Sequence, residues 1–180
     1  MTNIRFLNTF LIKKLILMSL LGMLLMSSQA SAEIKGFEDL NGNPKIFDNY
    51  LGKGKWLVVM LWRSDCYICN REAHEYVDFH MIHSDTDATV LGITNDGEGR
   101  KKEAESFIKR HNIDFPNLIA EPDFVSNFFH NLTGQHFSGT PSFLIFSPEG
   151  ELKAAQVGAV PTSLIEEFIK KNSVKKVVGK

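Results

Sequence analysis

The stretch LWRSDCYICNRE, residues 61–72, contains both cysteines of this 180-residue chain. Cys66 and Cys69 lie three positions apart, directly after the apolar run KWLVVMLW at residues 55–62. That run is rich in β-branched and apolar residues, which predicts a strand that is buried on both faces. A Cys-x-x-Cys pair after such a strand is compatible with a redox-active pair, a metal-binding pair or two buried core thiols. The surrounding residues must distinguish among these.

Strand and helix patterns alternate along the rest of the chain. Ala73, Val77 and Met81 recur at four-residue spacing, which predicts a helix directly after the cysteines. The Ser-Pro-Glu-Gly turn at residues 147–150 predicts a β-hairpin. Since a strand–helix–strand order requires a parallel crossover and the hairpin adds antiparallel strands, we expect an α/β fold with a mixed central sheet and helices on both faces. A turn that leads into a short strand is predicted at 40–47, and further strands are predicted at 55–62, 88–96, 115–122 and in the two arms of the hairpin 139–158. The predicted helices are 66–83, 99–111, 123–130 and 160–172.

The first 32 residues have the pattern of a secretory signal peptide. Three basic residues precede the apolar run LILMSLLGMLLM at 15–26, and the tripeptide ASA at 30–32 fits a small-x-small cleavage site. We therefore expect cleavage there and export to the periplasm; the alternative is an uncleaved leader that anchors the protein to the inner membrane. The mature chain is then one domain over residues 33–172, followed by a basic flexible tail at 173–180.

Removal of the leader changes the formal net charge from −1 to −4, because the leader carries three basic residues and no acidic ones. This mild acidity argues against a nucleic-acid partner. In an exported protein an even number of cysteines indicates a disulfide. A bridge that closes so short a loop removes little chain entropy, however, so the pair is not expected to serve stability.

Three features form the thioredoxin layout: a buried strand that ends in Trp62, a Cys-x-x-Cys pair at the start of a helix, and Thr140-Pro141 before a hairpin. The leader and two further stretches narrow the resemblance. These are FEDLNGNPKIFDNYLGKGKWLVVMLWRSDCYICNRE at 37–72 and GTPSFLIFSPEGEL at 139–152. The chain is similar to the TlpA/ResA-like thiol–disulfide oxidoreductases of the bacterial periplasm or outer membrane face. The resemblance covers residues 36–169 and implies a thioredoxin-like fold.

The resemblance also implies a role for each residue that matches a motif of the family. Cys66 would be the exposed attacking cysteine and Cys69 the resolving one, so that the two form a redox-active disulfide. Pro141 would be the cis-proline that faces this disulfide, with Thr140 directly before it. Gly158 matches a glycine near the end of the last strand.

Glu72 matches a glutamate that these relatives carry three residues after the second cysteine. On a helix this spacing places Glu72 near Cys69 on the same face. A carboxylate there could accept or donate the proton of the buried thiol. The alternative is a solvated surface glutamate.

Two features next to the cysteines depart from the family pattern. Asp65 stands where an aromatic residue is usual, and Ile68 follows Tyr67 where the family commonly has a proline. An anion beside Cys66 should raise the pKa of its thiol, which argues against a strongly oxidising enzyme. Arg63 would offset Asp65 if its guanidinium turned inward.

The segment FVSNFFHNLTGQHFSG at 124–139 is a few residues longer than the family needs. Its Phe/His-rich part leads into the Thr-Pro loop. We hypothesise that His136 and Phe137 line a substrate groove beside the disulfide, together with Trp62 and Gly158. In the alternative, the phenylalanines are core residues and the histidines are exposed.

The sequence therefore predicts an exported thiol–disulfide oxidoreductase that acts on protein cysteines as a monomer, without a cofactor or metal. We expect a reductant, for cytochrome c maturation or metal-site assembly, that receives electrons from a membrane thiol-transfer reductase. The alternative is a Cu(I) chaperone, with Cys66, Cys69 and either His130 or His136 as ligands. A peroxidase is disfavoured because Arg63 replaces the expected threonine three residues before Cys66. Two intact cysteines argue against a non-catalytic interaction domain.

Overall fold

The computed structural model describes residues 36–178, with side chains as far as Ser173, so the predicted leader at 1–32 lies outside the described residues. The strands are β1 (Phe37–Asp39), β2 (Pro44–Lys45), β3 (Trp56–Trp62), β4 (Ala88–Thr94), β5 (Asn117–Ile119), β6 (Ser142–Phe146) and β7 (Leu152–Val157). The α-helices are α1 (Tyr67–His83), α2 (Lys101–Arg110), α3 (Pro122–Thr133) and α4 (Thr162–Val178). Across this part of the chain no helix has the length and apolar character needed to cross a membrane.

One mixed sheet joins the seven strands in the order β2-β1-β5-β4-β3-β6-β7. β3 runs parallel to β4, with Trp56 opposite Ala88 and Trp62 opposite Thr94, and β4 runs parallel to β5. β6 pairs antiparallel with β3, and β7 pairs antiparallel with β6 as the second arm of the hairpin. The predicted α/β fold with a mixed central sheet is confirmed, and β3 lies near its centre.

The central strand β3 is buried on both faces, as its apolar run predicts. No residue of β3 is more than 4 % exposed. Even-numbered side chains such as Met60 join a core cluster with residues of α1, α2 and α4. Odd-numbered side chains such as Val59 join a second cluster with residues of α3. The end of β3 is therefore held between two cores directly before the cysteines.

Helix α1 begins at Tyr67, close to the predicted start, but its inner face does not follow the predicted spacing. Ala73 and Tyr76 are buried, whereas Met81 is 66 % exposed. Each step of four residues turns a helix about 40° past a full revolution, so a run of such steps leaves the buried face. Alternating steps of three and four residues, as from Cys69 to Ala73 to Tyr76, stay on it.

Helix α4 extends to Val178, past residue 172 where the predicted domain ends. Residues 173–178, which the sequence assigns to a tail, therefore continue this helix. Ile165 and Ile169 are buried in the core cluster that also contains the inner face of α1.

Trp62 is fixed by a hydrogen bond that crosses the neighbouring strand. Its indole Nε1 donates to Oδ1 of Asn117 in β5 at 3.1 Å, and its ring stacks on Phe107 of α2 with 4.3 Å between the ring centroids. This bond passes over Gly92 of β4, where a Cβ atom would lie 1.9 Å from Oδ1 of Asn117 and 2.9 Å from Nε1 of Trp62. Position 92 requires glycine because the hydrogen bond occupies the space of a side chain.

Replacement of Gly92 by alanine should lower the free energy of unfolding by about 2–4 kcal/mol, because the methyl group must displace Asn117 or Trp62 and leave a buried polar group unpaired. Urea unfolding followed by circular dichroism measures the change. Gly99→Ala is the matched control, since a Cβ atom there has no neighbour within 4 Å, and its effect should stay within about 0.5 kcal/mol. Equal stability of Gly92→Ala and the wild-type protein would contradict the close approach.

Candidate active site

Cys66 and Cys69 form a disulfide at the start of α1, with 5.2 Å between their Cα atoms. Cys66 is the N-cap residue of the helix, and its Sγ accepts a hydrogen bond from the backbone N–H of Cys69 at 3.0 Å. Cys66 is partly exposed, whereas Cys69 is 0 % exposed. Of the two sulfur atoms, that of Cys66 is therefore the one that another protein can reach.

The loop before β6 brings Thr140 and Pro141 to this disulfide. The Thr140–Pro141 peptide bond is cis, and the carbonyl oxygen of Thr140 lies 3.4 Å from Sγ of Cys66. Gly158, directly after β7, donates its backbone N–H to the carbonyl of Pro141 at 2.8 Å. Thr140 therefore contacts the start of α1 directly, and Gly158 is joined to the same loop through Pro141.

Glu72 is a buried side chain of α1, one turn beyond Cys69. It is 8 % exposed, so it is not the solvated surface glutamate of the alternative interpretation. Its Oε1 lies 3.0 Å from Nη2 of Arg71, whereas its Oε2 is buried and has no hydrogen-bond partner in residues 36–173. Burial, followed by the charges of Glu72 and Glu75, raises the pKa of Tyr76 well above its usual value.

Asp65 is half exposed and lies between two guanidinium groups. Nε of Arg63 is 3.1 Å from its Oδ1, and Nη2 of Arg100 is 3.3 Å from its Oδ2. The N–H of Arg63 does not point at the carboxylate, so this contact is an ion pair without a hydrogen bond. The charge of Asp65 is therefore compensated by Arg63, as the sequence allowed, and also by Arg100, which the sequence did not indicate.

Tyr67 and Ile68 lie between the two cysteines on the first turn of α1. Tyr67 is 77 % exposed, and Ile68 is partly exposed. The side chain of Tyr67, which follows Cys66 in the chain, is therefore a large apolar group that is open to solvent.

The predicted groove residues do not come together. Trp62 is 1 % exposed in the core between β3 and α2, so its assignment to an open groove is wrong. Phe137 packs on Phe129 with 5.5 Å between ring centroids, and His136 is exposed. This arrangement fits the alternative, in which the phenylalanines are core residues. Gly158 contacts the loop beside the disulfide through Pro141.

The ligands of the Cu(I) alternative are not assembled either. Within residues 36–173 no three side chains of His, Cys, Asp or Glu form a group that could hold a metal ion. His130 uses its Nδ1 in a 3.1 Å contact with the carbonyl oxygen of Gln135. A site of two cysteines and one histidine therefore lacks its third ligand.

Sequence reasoning missed three polar residues around the cysteines. Asn70 donates through Nδ2 to the carbonyl of Cys66 at 2.9 Å, and its Oδ1 accepts from Arg110 at 2.7 Å. Asp96 and Arg100 contact the turn before Cys66 from the connection between β4 and α2. One signal could have indicated Asp96, because polar residues that follow buried parallel strands gather at one edge of the sheet.

After reduction, a small alkylating reagent should modify Cys66 at least about tenfold faster than Cys69, because Cys66 is accessible and lies at the positive end of α1. Mass spectrometry of proteolytic fragments at successive times measures both rates. The variants Cys66→Ala and Cys69→Ala give each rate in the absence of the other thiol. Equal rates would contradict the asymmetry of the pair.

Comparison with solved structures identifies the fold. A DsbF homologue from Corynebacterium diphtheriae is 23 % identical, with a TM-score of 0.63 over 74 % of this chain and 81 % of that one. A thiol:disulfide interchange protein from Chlorobium tepidum TLS is 20 % identical, with a TM-score of 0.61 over 74 % and 88 %. A secreted disulfide oxidoreductase from Mycobacterium tuberculosis, described as homologous to DsbE of E. coli, is 19 % identical, with a TM-score of 0.54 over 75 % and 95 %.

Comparison of sequences identifies the family. No curated protein sequence matches the chain significantly. Residues 29–155, most of the chain, match the AhpC/TSA family. The chain therefore belongs to the AhpC/TSA family, and it has a thioredoxin-like thiol–disulfide oxidoreductase fold with a Cys66–Cys69 disulfide.

Proposed function

We propose that this protein is an exported thiol–disulfide oxidoreductase of the TlpA/ResA type, which exchanges its Cys66–Cys69 pair with cysteines of substrate proteins. One observation carries the proposal. The disulfide joins a partly exposed Cys66 to a fully buried Cys69 at the start of α1, beside Thr140 and Pro141. Two-step exchange through a mixed disulfide needs one sulfur open to the substrate and a second sulfur held behind it.

In the reducing direction, the thiolate of Cys66 attacks one sulfur of a substrate disulfide, and the other substrate sulfur leaves as a thiolate. Cys69 then loses its proton and attacks Sγ of Cys66, which releases the second substrate sulfur and closes the Cys66–Cys69 bond. Two electrons pass from the protein to the substrate. The N–H of Cys69, 3.0 Å from Sγ of Cys66, and the positive end of α1 favour the attacking thiolate.

Glu72 is the proposed acceptor for the proton of Cys69. It lies one turn further along α1 on the buried side, where spacing by three residues makes two side chains neighbours. Arg71 binds Oε1, which leaves the buried Oε2 without a partner in the described part of the chain. An oxygen of this kind can take up a proton in a place that bulk water does not reach.

Glu72→Gln should slow the closing of the mixed disulfide at least about tenfold at pH 7, because an amide does not accept the proton. Rapid-quench analysis of a substrate mixed disulfide measures this step separately from the first attack by Cys66. Glu75→Gln on the next turn of α1 is the control and should close at the wild-type rate. A wild-type rate in Glu72→Gln would exclude the role of Glu72.

We further propose that the protein acts as a reductant. A strong oxidant has a reduced form that is stabilised by a low-pKa thiolate, whereas neighbouring carboxylates oppose a thiolate. Asp65 directly precedes the pair in the chain, and Glu72 follows it by one helical turn. Arg63, Arg100 and Arg71 compensate part of this charge, so we expect moderately reducing behaviour.

The substrates in this proposal are periplasmic proteins whose cysteines must be reduced, as in cytochrome c maturation or metal-site assembly. A membrane thiol-transfer reductase would return electrons to the Cys66–Cys69 disulfide. One chain contains both sulfurs of the exchange and the loop that faces them, so a monomer suffices.

Insulin reduction by dithiothreitol tests the exchange activity. The wild-type protein should accelerate it, and Cys66→Ser should abolish the acceleration, because the attacking sulfur is missing. Equilibration with glutathione redox buffers then measures the reduction potential. We expect a value closer to the about −270 mV of thioredoxin than to the about −120 mV of DsbA; a value near the latter would exclude a reductant.

The family match makes a peroxidase the competing activity to test. Arg63 stands where the threonine of a Thr-x-x-Cys motif is expected, and it is bound in an ion pair with Asp65. Hydrogen peroxide consumption coupled to a dithiol should therefore remain at the background rate under conditions in which insulin is reduced. Peroxide turnover that depends on Cys66 would favour the competing activity.

A further inference from the structure

A buried carboxylate lies under the turn that precedes Cys66, outside the residues that the exchange reaction uses. The side chain of Asp96, two residues after the end of β4, is 0 % exposed. Its Oδ2 accepts hydrogen bonds from the backbone N–H of Ser64 at 2.9 Å and from the hydroxyl of Thr94 at 2.7 Å. Its Oδ1 accepts from the hydroxyl of Ser64 at 2.8 Å and from Nε of Arg100 at 3.1 Å. A buried charge is costly unless it is paired in this way.

Ser64 belongs to the β-turn that presents Asp65 and Cys66. The N–H of Cys66 donates to the carbonyl of Arg63 at 3.1 Å and closes the turn. The N–H and the hydroxyl of Ser64 bind Asp96, and its carbonyl accepts from Nδ2 of Asn70 at 3.0 Å. Each polar group of Ser64 thus has a partner outside the turn, which fixes the path of the chain into Cys66.

Arg100 connects the buried carboxylate with the exposed one. While its Nε binds Asp96, its Nη2 lies 3.2 Å from the hydroxyl of Ser64 and 3.3 Å from Oδ2 of Asp65. Arg63 lies 3.1 Å from the other oxygen of Asp65 and 3.9 Å from Asp96. Two guanidinium groups therefore balance two carboxylates beside the disulfide.

We propose that Asp96 and Arg100 are positioning residues that fix the Ser64–Asp65 turn, compensate the charge of Asp65 and thereby set the redox equilibrium of the Cys66–Cys69 pair. The inference rests on the proposed exchange at this pair. A carboxylate held between guanidinium groups exerts a weaker field on a nearby thiolate than a free one. Because a stabilised thiolate favours the dithiol form, Arg100 shifts the pair toward that form by acting through Asp65.

A double-mutant cycle between Asp65 and Arg100 tests this mechanism. The equilibrium of the pair with reduced and oxidised glutathione is measured for wild type, Arg100→Gln, Asp65→Asn and the double variant. Arg100→Gln should shift the equilibrium about three- to tenfold toward the disulfide, and tenfold corresponds to about 30 mV. In the Asp65→Asn background, Arg100→Gln should shift the equilibrium less than about twofold, because the carboxylate through which Arg100 acts is missing. If the two residues acted independently, Arg100→Gln would give the same shift in both backgrounds. Lys102→Gln, which removes an exposed cation from the same region, is the control and should leave the equilibrium unchanged.

Two outcomes would overturn the proposal. An equal shift by Arg100→Gln in both backgrounds means that Arg100 does not act through Asp65. If Arg100→Gln shifts the equilibrium in neither background, Arg100 does not influence the pair.

Arg100→Lys gives a second test if Arg100→Gln does not fold, as judged by circular dichroism. A lysine keeps the charge and can still pair with Asp96, but a single ammonium does not span Asp96 and Asp65 as the guanidinium fork does. The equilibrium should again move toward the disulfide, and an unchanged equilibrium in folded Arg100→Lys would refute the positioning role.

The glutathione equilibrium is measurable even if insulin is not reduced, so failure of the proposed function is distinguished from failure of this inference.

Discussion

The N-cap of helix α1 is the sulfur atom of Cys66, and the other parts of the site lie around that atom. Sγ of Cys66 caps the helix by accepting the N–H of Cys69 at 3.0 Å, so the sulfur occupies the position that a serine or aspartate oxygen takes in other helices. The deeply buried strand β3 leads the chain to this point, and the carbonyl oxygen of Thr140 lies 3.4 Å from the same sulfur. The N–H of Cys69 that the sulfur caps in the disulfide form is also the group that would stabilise a thiolate after reduction.

Most of the fold follows from patterns within single elements. The apolar run of β3, the Cys-x-x-Cys pair and the Ser-Pro-Glu-Gly turn each depend on neighbours within a few positions, and such local spacing is readable in a sequence. The placement of Glu72 can also be predicted from the sequence, because its spacing from Cys69 along one helix puts both side chains on the same face. The order of the elements along the chain also predicts that the sheet contains both parallel and antiparallel strands.

The residues that sequence reasoning missed depend on contacts between distant parts of the chain. Asp96 and Arg100 reach the turn before Cys66 only because β3 and β4 pair in a register that sets Trp62 opposite Thr94. The error at Trp62 has a related cause. The side chain of a large residue at the end of a strand can point to either face of the sheet. The even-numbered residues of β3 all face the core that α1 and α2 share, and Trp62 is one of them.

The two outer strands of the sheet limit how other chains can associate with the protein. At one edge, β2 has two residues and one of them is Pro44, which offers no backbone N–H. At the other edge, β7 carries the exposed Lys153 and pairs with β6 through an irregular register. Charges, prolines and short or irregular edges hinder the addition of further strands and so protect against aggregation. Both edges therefore hinder the pairing of an extended segment of another protein with the sheet, which would favour release of a substrate after the proposed exchange.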